Sequence, residues 1–443
     1  MELFAVTGKP VFQSMSPQMH NAAFNELSMD SHYVRIAADS GEESVETAAM
    51  LGAAGMNITA PFKECFFRLA GKKDKFAEKT GSVNCAMLSG RNGRGISGFN
   101  TDVFGVAEAL RNNGADISGQ NACVIGAGGA ARSAVIALLG KGANVTVLNR
   151  TVEKAREISG SFGCDYGTLS PGDLEKSIPG AGIIISAVTG TGEIIPEKLL
   201  PENATVLDAN YSSKSTLTDY AEKKGCRLID GREWLLFQGA KSFEIFTGKK
   251  APLGAMRSAL YSGQSGQGKQ KNGKKNKTNI SLIGFMGTGK SSVALEISRA
   301  SGMRAIDTDA GIEKNSGGKV ADLFARFGEA HFRGIESAEI LKLESAENSA
   351  IACGGGAVID PKNAESLRRH SNIVLLASSV GRILEMVGND STRPLLGREN
   401  REDSVRKLLS ERIGHYACAA DLVVSGEKRN PKEIAEVILR EIR

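Results

Sequence analysis

The sequence predicts an α/β protein made of two halves that are joined by a polar linker. Short β-branched runs alternate with helical stretches, as in FAVTG, SPQMHNAAFNEL and HYVRIAA near the start of the chain. Such alternation is typical of parallel sheets covered by helices. Two glycine-rich turns, GAGGAA after NACVI and GFMGTGKS after NISLI, each separate a predicted strand from a predicted helix. At 443 residues the chain exceeds what one hydrophobic core usually serves, and about two or three domains are expected.

The predicted linker is SGQSGQGKQKNGKKNKT, residues 262–278, which contains five lysines and no acidic residue. The chain carries 55 Lys and Arg against 50 Asp and Glu, so these lysines equal the whole net charge of +5. Without apolar residues the stretch cannot bury enough surface to fold, and a flexible coil is expected. The alternative is a nucleic-acid tether, which predicts salt-sensitive DNA binding that is lost when the stretch is deleted. Nucleic-acid binders present a basic folded face instead, so no nucleic-acid partner is expected.

Cysteine usage and hydropathy indicate a cytoplasmic protein. The seven cysteines are scattered without a C-x-x-C pair, which is typical of reduced thiols rather than of a disulfide framework. The opening MELFAVTGKPVF lacks the basic and apolar regions of a signal peptide, and no apolar run approaches the roughly 20 residues of a membrane-spanning helix. No membrane partner is therefore expected, and the sequence leaves monomer and homodimer open.

The first glycine-rich turn indicates a dinucleotide site. NACVI is typical of an apolar strand, the glycines let the backbone approach a pyrophosphate, and the next helix offers unpaired N–H groups at its N-terminus. An NAD site places an acidic residue about 20 residues further on to bind the ribose. This chain has Asn149, Arg150, Thr151 and Lys154 there instead. Because a guanidinium suits a 2′-phosphate, the predicted cofactor is NADP.

Hydroxyl, amide and charged side chains recur in turns of the first hundred or so residues. Singly, each is typical of a helix cap, a turn or a solvated surface group. Together they form a constellation that suits a polyol or a carboxylate. Its members are Ser14 and Ser16 before a proline-started helix, Thr59 and Lys63 in MNITAPFK, Asn84 in TGSVN, and Asn100, Thr101 and Asp102 in GFNTDVFG.

These motifs occur in an order that resembles shikimate dehydrogenase over residues 1 to about 261. They are S-x-S-P-x-x-H-N, N-x-T-x-P-x-K, G-x-V-N, G-x-N-T-D-x-x-G, GAGGAAR, NRT and GREWLLFQGA. The resemblance implies a substrate-binding domain at 1–100, completed by about 236–261, and a Rossmann NADP-binding domain at 101–235. It implies that Ser14, Ser16, Thr59, Asn84, Tyr211 and Gln238 bind shikimate, with Lys63 and Asp102 as the catalytic pair. It implies NADP contacts from Gly126, Ala127, Gly128, Gly129, Ala130, Asn149, Arg150, Thr151, Lys154 and Gly231.

The residue types fit the reaction that this resemblance implies. Reduction of the 3-keto group of 3-dehydroshikimate builds negative charge on oxygen, which the Lys63 ammonium can stabilise and protonate. Asp102 would hold Lys63 and accept from a substrate hydroxyl, while the cofactor supplies the hydride. The chain departs from the family pattern at Gln13, where histidine is usual, at Trp234, where methionine is usual, and two residues after Tyr211, where proline is usual. These departures concern substrate preference and nicotinamide packing, not the catalytic pair.

The second glycine-rich turn is a complete G-x-x-x-x-G-K-[ST] motif, Gly284 to Ser291, between a predicted strand and a predicted helix. In this motif backbone N–H groups wrap the phosphates, the lysine reaches the β and γ oxygens, and the hydroxyl ligates Mg²⁺. The second half is therefore predicted to bind a nucleoside triphosphate. The residues of the turn predicted to bind it are Gly287, Thr288, Gly289, Lys290, Ser291 and Ser292.

Downstream residues resemble those of shikimate kinase over about residues 279 to 443. The matching segments are AIDTDAGIE, FGEAHFRGIE, IACGGGAV, STRPLLGREN and ERIGHYACAAD. The resemblance implies that shikimate is bound by Asp309, Arg333, Gly355 and Arg412, with the two arginines on its carboxylate. Asp309 and Lys290 are then catalytic, and Ser291 and Asp307 hold Mg²⁺. Arg393 is implied to close over the ATP phosphates as part of a lid.

The two halves share one molecule, since the alcohol made by the first is the phosphate acceptor of the second. Together they predict a bifunctional enzyme that reduces 3-dehydroshikimate with NADPH and phosphorylates the 3-hydroxyl of shikimate with ATP. One alternative is a quinate-type dehydrogenase, or a kinase for gluconate or a nucleoside monophosphate, on the same folds. Another is a shikimate-binding module with one inactive half, against which the intact catalytic residues argue. The linker is expected to leave the two halves structurally independent and not to channel the intermediate.

Overall fold

A computed structural model describes residues 1–89, 95–188, 190–211, 213–262, 277–388 and 400–442 of the chain. These residues form two sheets that are covered by helices, which confirms the predicted α/β class. Most of the predicted linker and the predicted lid residue Arg393 lie outside the described residues. No helix within the described ranges is long and apolar enough to cross a membrane.

The N-terminal elements build one end of the larger sheet. They are β1 (Glu2–Gly8), α1 (Ser16–Glu26), β2 (Ser31–Ala37), α2 (Gly41–Leu51), β3 (Ala53–Ile58), α3 (Lys63–Leu69), β4 (Lys72–Lys73), α4 (Lys75–Thr80), β5 (Cys85–Ser89) and β6 (Gly95–Phe99). Strands β2, β1 and β3 pair in parallel, as the alternation of strands and helices predicts. Strand β5 differs, because it runs antiparallel to both β3 and β6.

The middle of the chain forms a separate six-stranded sheet. Its elements are α5 (Asp102–Asn112), β7 (Asn121–Ile125), α6 (Gly129–Leu139), β8 (Asn144–Leu148), α7 (Val152–Phe162), β9 (Asp165–Gly167), α8 (Pro171–Ser177), β10 (Ile183–Ser186), a 3₁₀ turn (Glu197–Leu199), β11 (Thr205–Asp208), α9 (Thr216–Lys223) and β12 (Arg227–Ile229). All strand pairs are parallel in the order β12-β11-β10-β7-β8-β9. The order reverses direction between β7 and β10, where doubly wound sheets bind dinucleotides.

Two helices follow this sheet and return to the N-terminal part, α10 (Gly231–Thr247) and α11 (Leu253–Tyr261). The remaining elements are β13 (Asn279–Ile283), α12 (Lys290–Ser301), β14 (Arg304–Asp307), α13 (Thr308–Ser316), α14 (Val320–Lys342), a 3₁₀ turn (Leu343–Ser345), β15 (Ser349–Ala352), α15 (Pro361–His370), β16 (Ser371–Ala377), α16 (Val380–Val387), α17 (Arg401–Ala419), β17 (Leu422–Ser425) and α18 (Pro431–Ile442). Strands β13 to β17 are parallel in the order β14-β15-β13-β16-β17. The predicted central parallel sheet of the second half is therefore confirmed.

The two halves share one eleven-stranded sheet, in which β17 pairs in parallel with β2. The register places Val423 opposite Ile36 and Val424 opposite Ala37. Two hydrophobic clusters of the larger sheet each contain residues from both halves. The expectation that the linker leaves the halves structurally independent is therefore wrong, because their edge strands pair and their cores merge.

Ion pairs cover the junction between the halves. Arg429 lies 2.6 Å from Asp39 and also pairs with Glu43, while Arg440 lies 2.9 Å from Asp39. Lys9 lies 2.9 Å from the same aspartate. Although burial opposes the shift, hydrogen bonds from Lys9, Arg429 and Arg440 hold the pKa of Asp39 well below its usual range. Asp39 is therefore a charged centre that connects the first half to the last helix of the second.

Candidate active sites

A cavity of about 590 Å³ opens where the carboxyl ends of β1 and β3 face those of β10 and β11. Every residue predicted to bind the dehydrogenase substrate lines it: Ser14, Ser16, Thr59, Lys63, Asn84, Asp102, Tyr211 and Gln238. Three predicted cofactor residues, Gly129, Ala130 and Gly231, line the same cavity, and so do the departures Gln13 and Trp234. Residues from far-apart parts of the sequence therefore converge on one space between the two sheets.

Lys63 and Asp102 form an ion pair at the wall of this cavity. Lys63 begins α3, Asp102 begins α5, and Nζ lies 2.5 Å from Oδ2. Asn100 fixes the start of α5, because its Oδ1 accepts from the Asp102 N–H at 3.1 Å and its Nδ2 donates to Thr80 and Ser82. An ammonium has three N–H donors and Asp102 occupies one. Lys63 therefore retains donor capacity for a ligand oxygen.

A buried amide network holds Asn84 and Gln238. Asn84 Nδ2 donates to Thr101 Oγ1 at 3.0 Å and to Gln238 Oε1 at 3.2 Å, while Asn84 Oδ1 accepts from the Thr101 N–H at 2.7 Å. Gln238 Nε2 donates to the carbonyl of Leu235 one turn earlier in α10. Because each partner is itself held, these side chains meet the cavity in fixed orientations.

The two predicted serines lie beside Tyr211. Ser14 Oγ donates to Ser16 Oγ at 3.3 Å, and both residues are buried. Burial raises the pKa of the Tyr211 hydroxyl, while hydrogen bonds with Met15 and Ser14 partly oppose this shift. The phenol therefore stays neutral at physiological pH, where it can both donate and accept.

The β7–α6 turn has the geometry of a phosphate cradle. Gly126 has a φ of +114°, and a Cβ there would lie 3.0 Å from the Ala187 carbonyl. Gly128 is the N-cap of α6. Within the described residues, no side chain caps this helix and no atom lies within 4 Å of a Cβ added at Gly128. The first amides of α6 therefore face open space, which suits an anion.

The predicted 2′-phosphate residues follow the neighbouring strand. Leu148 ends β8, and its carbonyl accepts from the Gly126 N–H at 2.9 Å, so the two turns are adjacent. Asn149 Nδ2 donates to the Thr151 carbonyl at 2.9 Å. Arg150, Thr151 and Lys154 are exposed at the start of α7. They lie outside the wall of the substrate cavity, beside the phosphate cradle.

The β13–α12 turn is wound around glycines. Gly284, Gly287 and Gly289 have φ values of +137°, +81° and +83°. A Cβ at Gly284 would lie 2.6 Å from the Leu376 carbonyl, so the conformation and the space both require glycine. Lys290 Nζ donates to the carbonyls of Gly284 and Phe285 at 2.9 Å, and Thr288 Oγ1 donates to Phe285 O at 2.8 Å.

Two side-chain oxygens meet beside this turn. Ser291 Oγ donates to Asp307 Oδ2 at 2.5 Å, and Asp307 Oδ1 accepts from the Ala310 N–H as the N-cap of α13. Ser291 and Ser292 are exposed on the first turn of α12. Among the described residues there is no group of three or more His, Cys, Asp or Glu able to hold a metal.

The predicted acceptor residues cluster around the glycines that follow β15. A Cβ at Gly354 would lie 2.7 Å from Asp309 Oδ1 and 2.6 Å from Glu336 Oε1. Burial and the charge of Asp307 raise the pKa of Asp309, and Lys290 opposes this shift. Burial also raises the pKa of Glu336, against the pull of Arg333.

Arginines approach the same glycines from two helices. Arg333 Nη1 donates to Glu336 Oε2 at 2.6 Å, and a Cβ at Gly356 would overlap its guanidinium. The buried Arg412 donates to the Gly355 carbonyl at 3.4 Å, and the Tyr416 hydroxyl donates to the same oxygen at 2.5 Å. Asp309, Arg333, Gly355 and Arg412 therefore lie together, and their binding of shikimate stays a prediction.

Sequence reasoning did not single out Glu336 and Tyr416. Both follow a predicted arginine on its own helix, Glu336 three residues after Arg333 and Tyr416 four residues after Arg412. These spacings place side chains on one helix face. The signal was therefore present in RGIE and in RIGHY.

Family models match along the chain in order. The shikimate dehydrogenase substrate binding domain matches residues 6–86, and the shikimate / quinate 5-dehydrogenase model matches residues 107–215. The shikimate 5′-dehydrogenase C-terminal domain matches residues 231–261. The shikimate kinase model matches residues 286–443.

Curated relatives match the first half. NADP⁺ shikimate dehydrogenase of Halobacterium salinarum is 40% identical over 270 residues, covering 59% of this chain and 98% of that protein. NADP⁺ shikimate dehydrogenase of Dehalococcoides mccartyi is 37% identical over 269 residues, covering 57% of this chain and 93% of that protein. The matched part is thus nearly the full length of these relatives.

Solved structures agree over the same part. The shikimate 5-dehydrogenase of Thermus thermophilus in complex with NADP(H) and shikimate is 29% identical with a TM-score of 0.54, covering 59% of this chain and 99% of that one. The quinate dehydrogenase of Corynebacterium glutamicum in complex with NAD is 23% identical with a TM-score of 0.52, covering 59% and 99%. This last likeness shows a shared fold.

Proposed function

The chain belongs to the shikimate dehydrogenase family in its first half and carries a shikimate kinase domain in its second, and from this we propose how its residues perform both reactions. It is a bifunctional shikimate-pathway enzyme. Its first half reduces 3-dehydroshikimate to shikimate with NADPH, and its second phosphorylates shikimate with ATP. The proposed domains are 1–100 with about 236–261, 101–235, and 279–443 after the linker at 262–278.

One observation carries the proposal for the first half. The eight side chains predicted to bind substrate line one cavity together with Gly129 of the cofactor turn. A Cβ at Gly129 would lie 3.6 Å from Lys63 Cδ, so the cofactor turn and the proposed catalytic lysine are neighbours. Hydride transfer needs this proximity between cofactor and substrate sites.

In the proposed reduction, Lys63 binds the keto oxygen and donates a proton to it as negative charge develops. Asp102 holds Lys63 through the 2.5 Å ion pair and accepts from a substrate hydroxyl. Ser14, Ser16, Asn84, Tyr211 and Gln238 orient the ring and its carboxylate. This pair suits the reduction of a hydroxylated ketone, because Lys63 can protonate the keto oxygen while Asp102 binds a hydroxyl of the same substrate.

The residues fit NADPH, which supplies the hydride when bound. The uncapped N-terminus of α6 and the open space at Gly128 suit a pyrophosphate. Arg150 and Lys154, exposed beside that turn, suit the 2′-phosphate. Gly231 lines the cavity and packs against the end of β11, because a Cβ there would overlap the Asp208 carbonyl.

In the proposed phosphorylation, Arg333 and Arg412 bind the carboxylate of shikimate and Asp309 accepts the proton of the attacked hydroxyl. ATP supplies the phosphoryl group when bound, and Lys290 and the turn amides hold its phosphates. Asp309 is placed for this role, because a Cβ at Gly354 would lie 2.7 Å from its Oδ1, so the carboxylate faces the glycines of the acceptor cluster. Arg393 is proposed to cover the phosphates, although it lies outside the described residues.

The donor set fits Mg²⁺ as the metal of the kinase reaction. Mg²⁺ prefers oxygen ligands and is usually held by one or two protein groups together with substrate phosphates. Ser291 Oγ and Asp307 Oδ2, 2.5 Å apart, are two such oxygens beside the phosphate turn. We propose that they hold the ion directly or through water.

The proposal is tested by one coupled assay on the full chain. 3-Dehydroshikimate, NADPH and Mg·ATP are supplied, and the product is identified by mass spectrometry. We expect shikimate 3-phosphate, and the variant Lys290→Ala should stop at shikimate. Faster turnover of dehydroquinate than of dehydroshikimate would instead identify a quinate-type enzyme, and phosphorylation of gluconate in place of shikimate would reject the kinase assignment.

A further inference from the structure

The last helix of the kinase half makes hydrogen bonds to the loop that carries Ser14 and Ser16. Glu441 on α18 accepts through Oε2 from the Val11 N–H at 2.7 Å and from the Phe12 N–H at 3.2 Å. The Glu441 side chain is 0% exposed, and its Oε1 lies 3.5 Å from Arg440. Charge-assisted hydrogen bonds are short and strong, and a low dielectric strengthens them further. The carboxylate is therefore a firm anchor for this loop.

Arg35 provides a second connection between the loop and the kinase half. It lies on β2 and is 8% exposed. Its Nε and Nη2 donate to the Ser14 carbonyl at 3.0 and 2.6 Å, and its Nη1 donates to the Asp421 carbonyl at 3.2 Å. Asp421 immediately precedes β17, the strand that pairs with β2. The guanidinium thus joins the backbone of a predicted substrate residue to the interdomain strand pair.

The hydrogen bonds within the loop are short-range. The Ser14 N–H donates to the Val11 carbonyl at 3.0 Å, and the Ser16 N–H donates to Ser14 Oγ at 3.3 Å. These bonds shape the turn but do not fix its position over the cavity. Loops hold a productive geometry only when surrounding groups lock them.

We propose that the kinase half completes the dehydrogenase substrate site, with Glu441 as a positioning residue for Ser14 and Ser16. This inference rests on the proposed role of those serines in binding shikimate. Without the Glu441 carboxylate, the buried Val11 amide and the partly buried Phe12 amide lose their acceptor, and the loop relaxes away from the cavity wall. Shikimate binding in the first half then weakens through a change in the second.

The test uses full-length Glu441→Ala, Glu441→Gln and Ser14→Ala, assayed for NADP-dependent oxidation of shikimate. We expect Glu441→Ala to raise the KM for shikimate about tenfold, as loss of a buried hydrogen-bond acceptor implies. The KM for NADP and the kinase constants of the same preparation should stay within about twofold, as for surface changes. Glutamine keeps one acceptor oxygen at the same place, so Glu441→Gln should restore most of the affinity.

The matched control is Glu436→Ala, which removes an exposed carboxylate from the same helix and should change none of these constants. A raised KM in Ser14→Ala with an unchanged KM in Glu441→Ala would overturn the positioning role and keep the proposed function. No change in either variant would reject the proposed binding role of the loop. An equal loss of kinase activity in both Glu441 variants would indicate general unfolding and would also overturn a selective effect.

Discussion

At the scale of single residues, the reductase depends on one ammonium that is held by one carboxylate. We expect Lys63→Ala to lower kcat for reduction by about 10²- to 10⁴-fold, because general acid catalysis contributes that much. The kinase should be unaffected, since Lys63 lines the dehydrogenase cavity in the first half of the chain. Initial rates of both reactions in one preparation measure this. The control is Lys79→Ala, an exposed lysine on α4, and near-normal reduction by Lys63→Ala would remove that residue from the chemistry.

Cofactor choice is expected to depend on Arg150. Arg150→Asp removes a partner of the 2′-phosphate and offers a ribose acceptor, so preference should move from NADPH toward NADH. The ratio of kcat/KM for the two cofactors is the measurement. Arg156→Asp makes the same charge change on the exposed face of α7 and should leave the ratio unaltered. If the ratio of kcat/KM for NADPH and NADH were the same in both variants, another residue would have to bind the 2′-phosphate.

The pH dependence of the kinase should follow Glu336. Burial raises the pKa of this carboxyl, so it takes up a proton at a higher pH than an ordinary Glu, whose pKa is about 4.3. Protonation ends its ion pair with Arg333, whose guanidinium we propose to bind the carboxylate of shikimate. The kinase KM for shikimate should therefore rise as pH falls, starting above the usual carboxyl range.

Glu336→Gln tests this expectation, because it cannot ionise. It should show the raised KM already at neutral pH and lose this part of the pH dependence. Glu339→Gln on the same helix, where the native carboxylate pairs with Lys342, serves as control. A wild-type pH profile in Glu336→Gln would mean that the ion pair does not position Arg333.

Most residues around the two sites were predictable because they belong to short motifs. Local sequence is enough to predict Lys63, Asp102 and the phosphate turns, because each follows a strand or begins a helix. Glu441 was not predictable, since its partners Val11 and Phe12 are 430 and 429 residues away. No local pattern distinguishes an anchoring carboxylate from a solvated one on an amphipathic helix.

At the scale of elements, a substitution in the β7–α6 turn should change cofactor binding without changing the stability of the fold. A Cβ at Gly128 meets no described atom within 4 Å, and its φ of −84° suits any residue. Gly128→Ala should therefore leave the melting temperature nearly unchanged while raising the KM for NADPH, because the methyl group occupies the space for the pyrophosphate. Thermal melts and reductase kinetics on the same sample check both parts.

The matched control is Gly160→Ala, which also adds a methyl group in open space but on α7. It should not change the KM for NADPH. A lowered melting temperature with unchanged NADPH affinity in Gly128→Ala would mean that this glycine serves folding only.

Element types followed from the sequence more readily than element pairing. The alternation of strands and helices predicted the parallel sheets, because parallel strands need helical crossovers. The alternation did not reveal that β5 runs antiparallel to β3. Residues 59–84 connect the two strands, and a connection of this length allows either a parallel or an antiparallel pair. The pairing of β17 with β2 could not be predicted either, because the sequence of an edge strand does not specify which strand it pairs with.

At the scale of the whole molecule, the shared sheet should hold the two halves together without the linker. A protease site placed within residues 263–276 allows the purified protein to be cut after folding. We expect the fragments to co-elute in size-exclusion chromatography and to keep both activities, because strand pairing, merged cores and the Arg429 ion pairs all cross the junction. Channelling is still not expected, so the lag before shikimate 3-phosphate appears should be the same after cutting.

Separate elution of two active fragments would contradict this prediction and restore the view of independent halves. Arg429→Ala provides a graded comparison, since it removes the guanidinium that pairs with Asp39 and Glu43. The cut form of this variant should dissociate at a lower salt or denaturant concentration than the cut wild type.

The pairing of β17 with β2 also matters while the chain is being made. Strand β2 ends at Ala37 and β17 begins at Leu422, so a ribosome that adds about 5 to 20 residues per second needs roughly 20 to 80 s between them. Throughout that time one side of β2 has no β17 to occupy its backbone hydrogen-bonding groups, and such an edge is a template for pairing with another nascent chain. That edge of β2 is therefore open to other chains until β17 has been translated, and a message truncated before β17 would leave it unpaired by this strand.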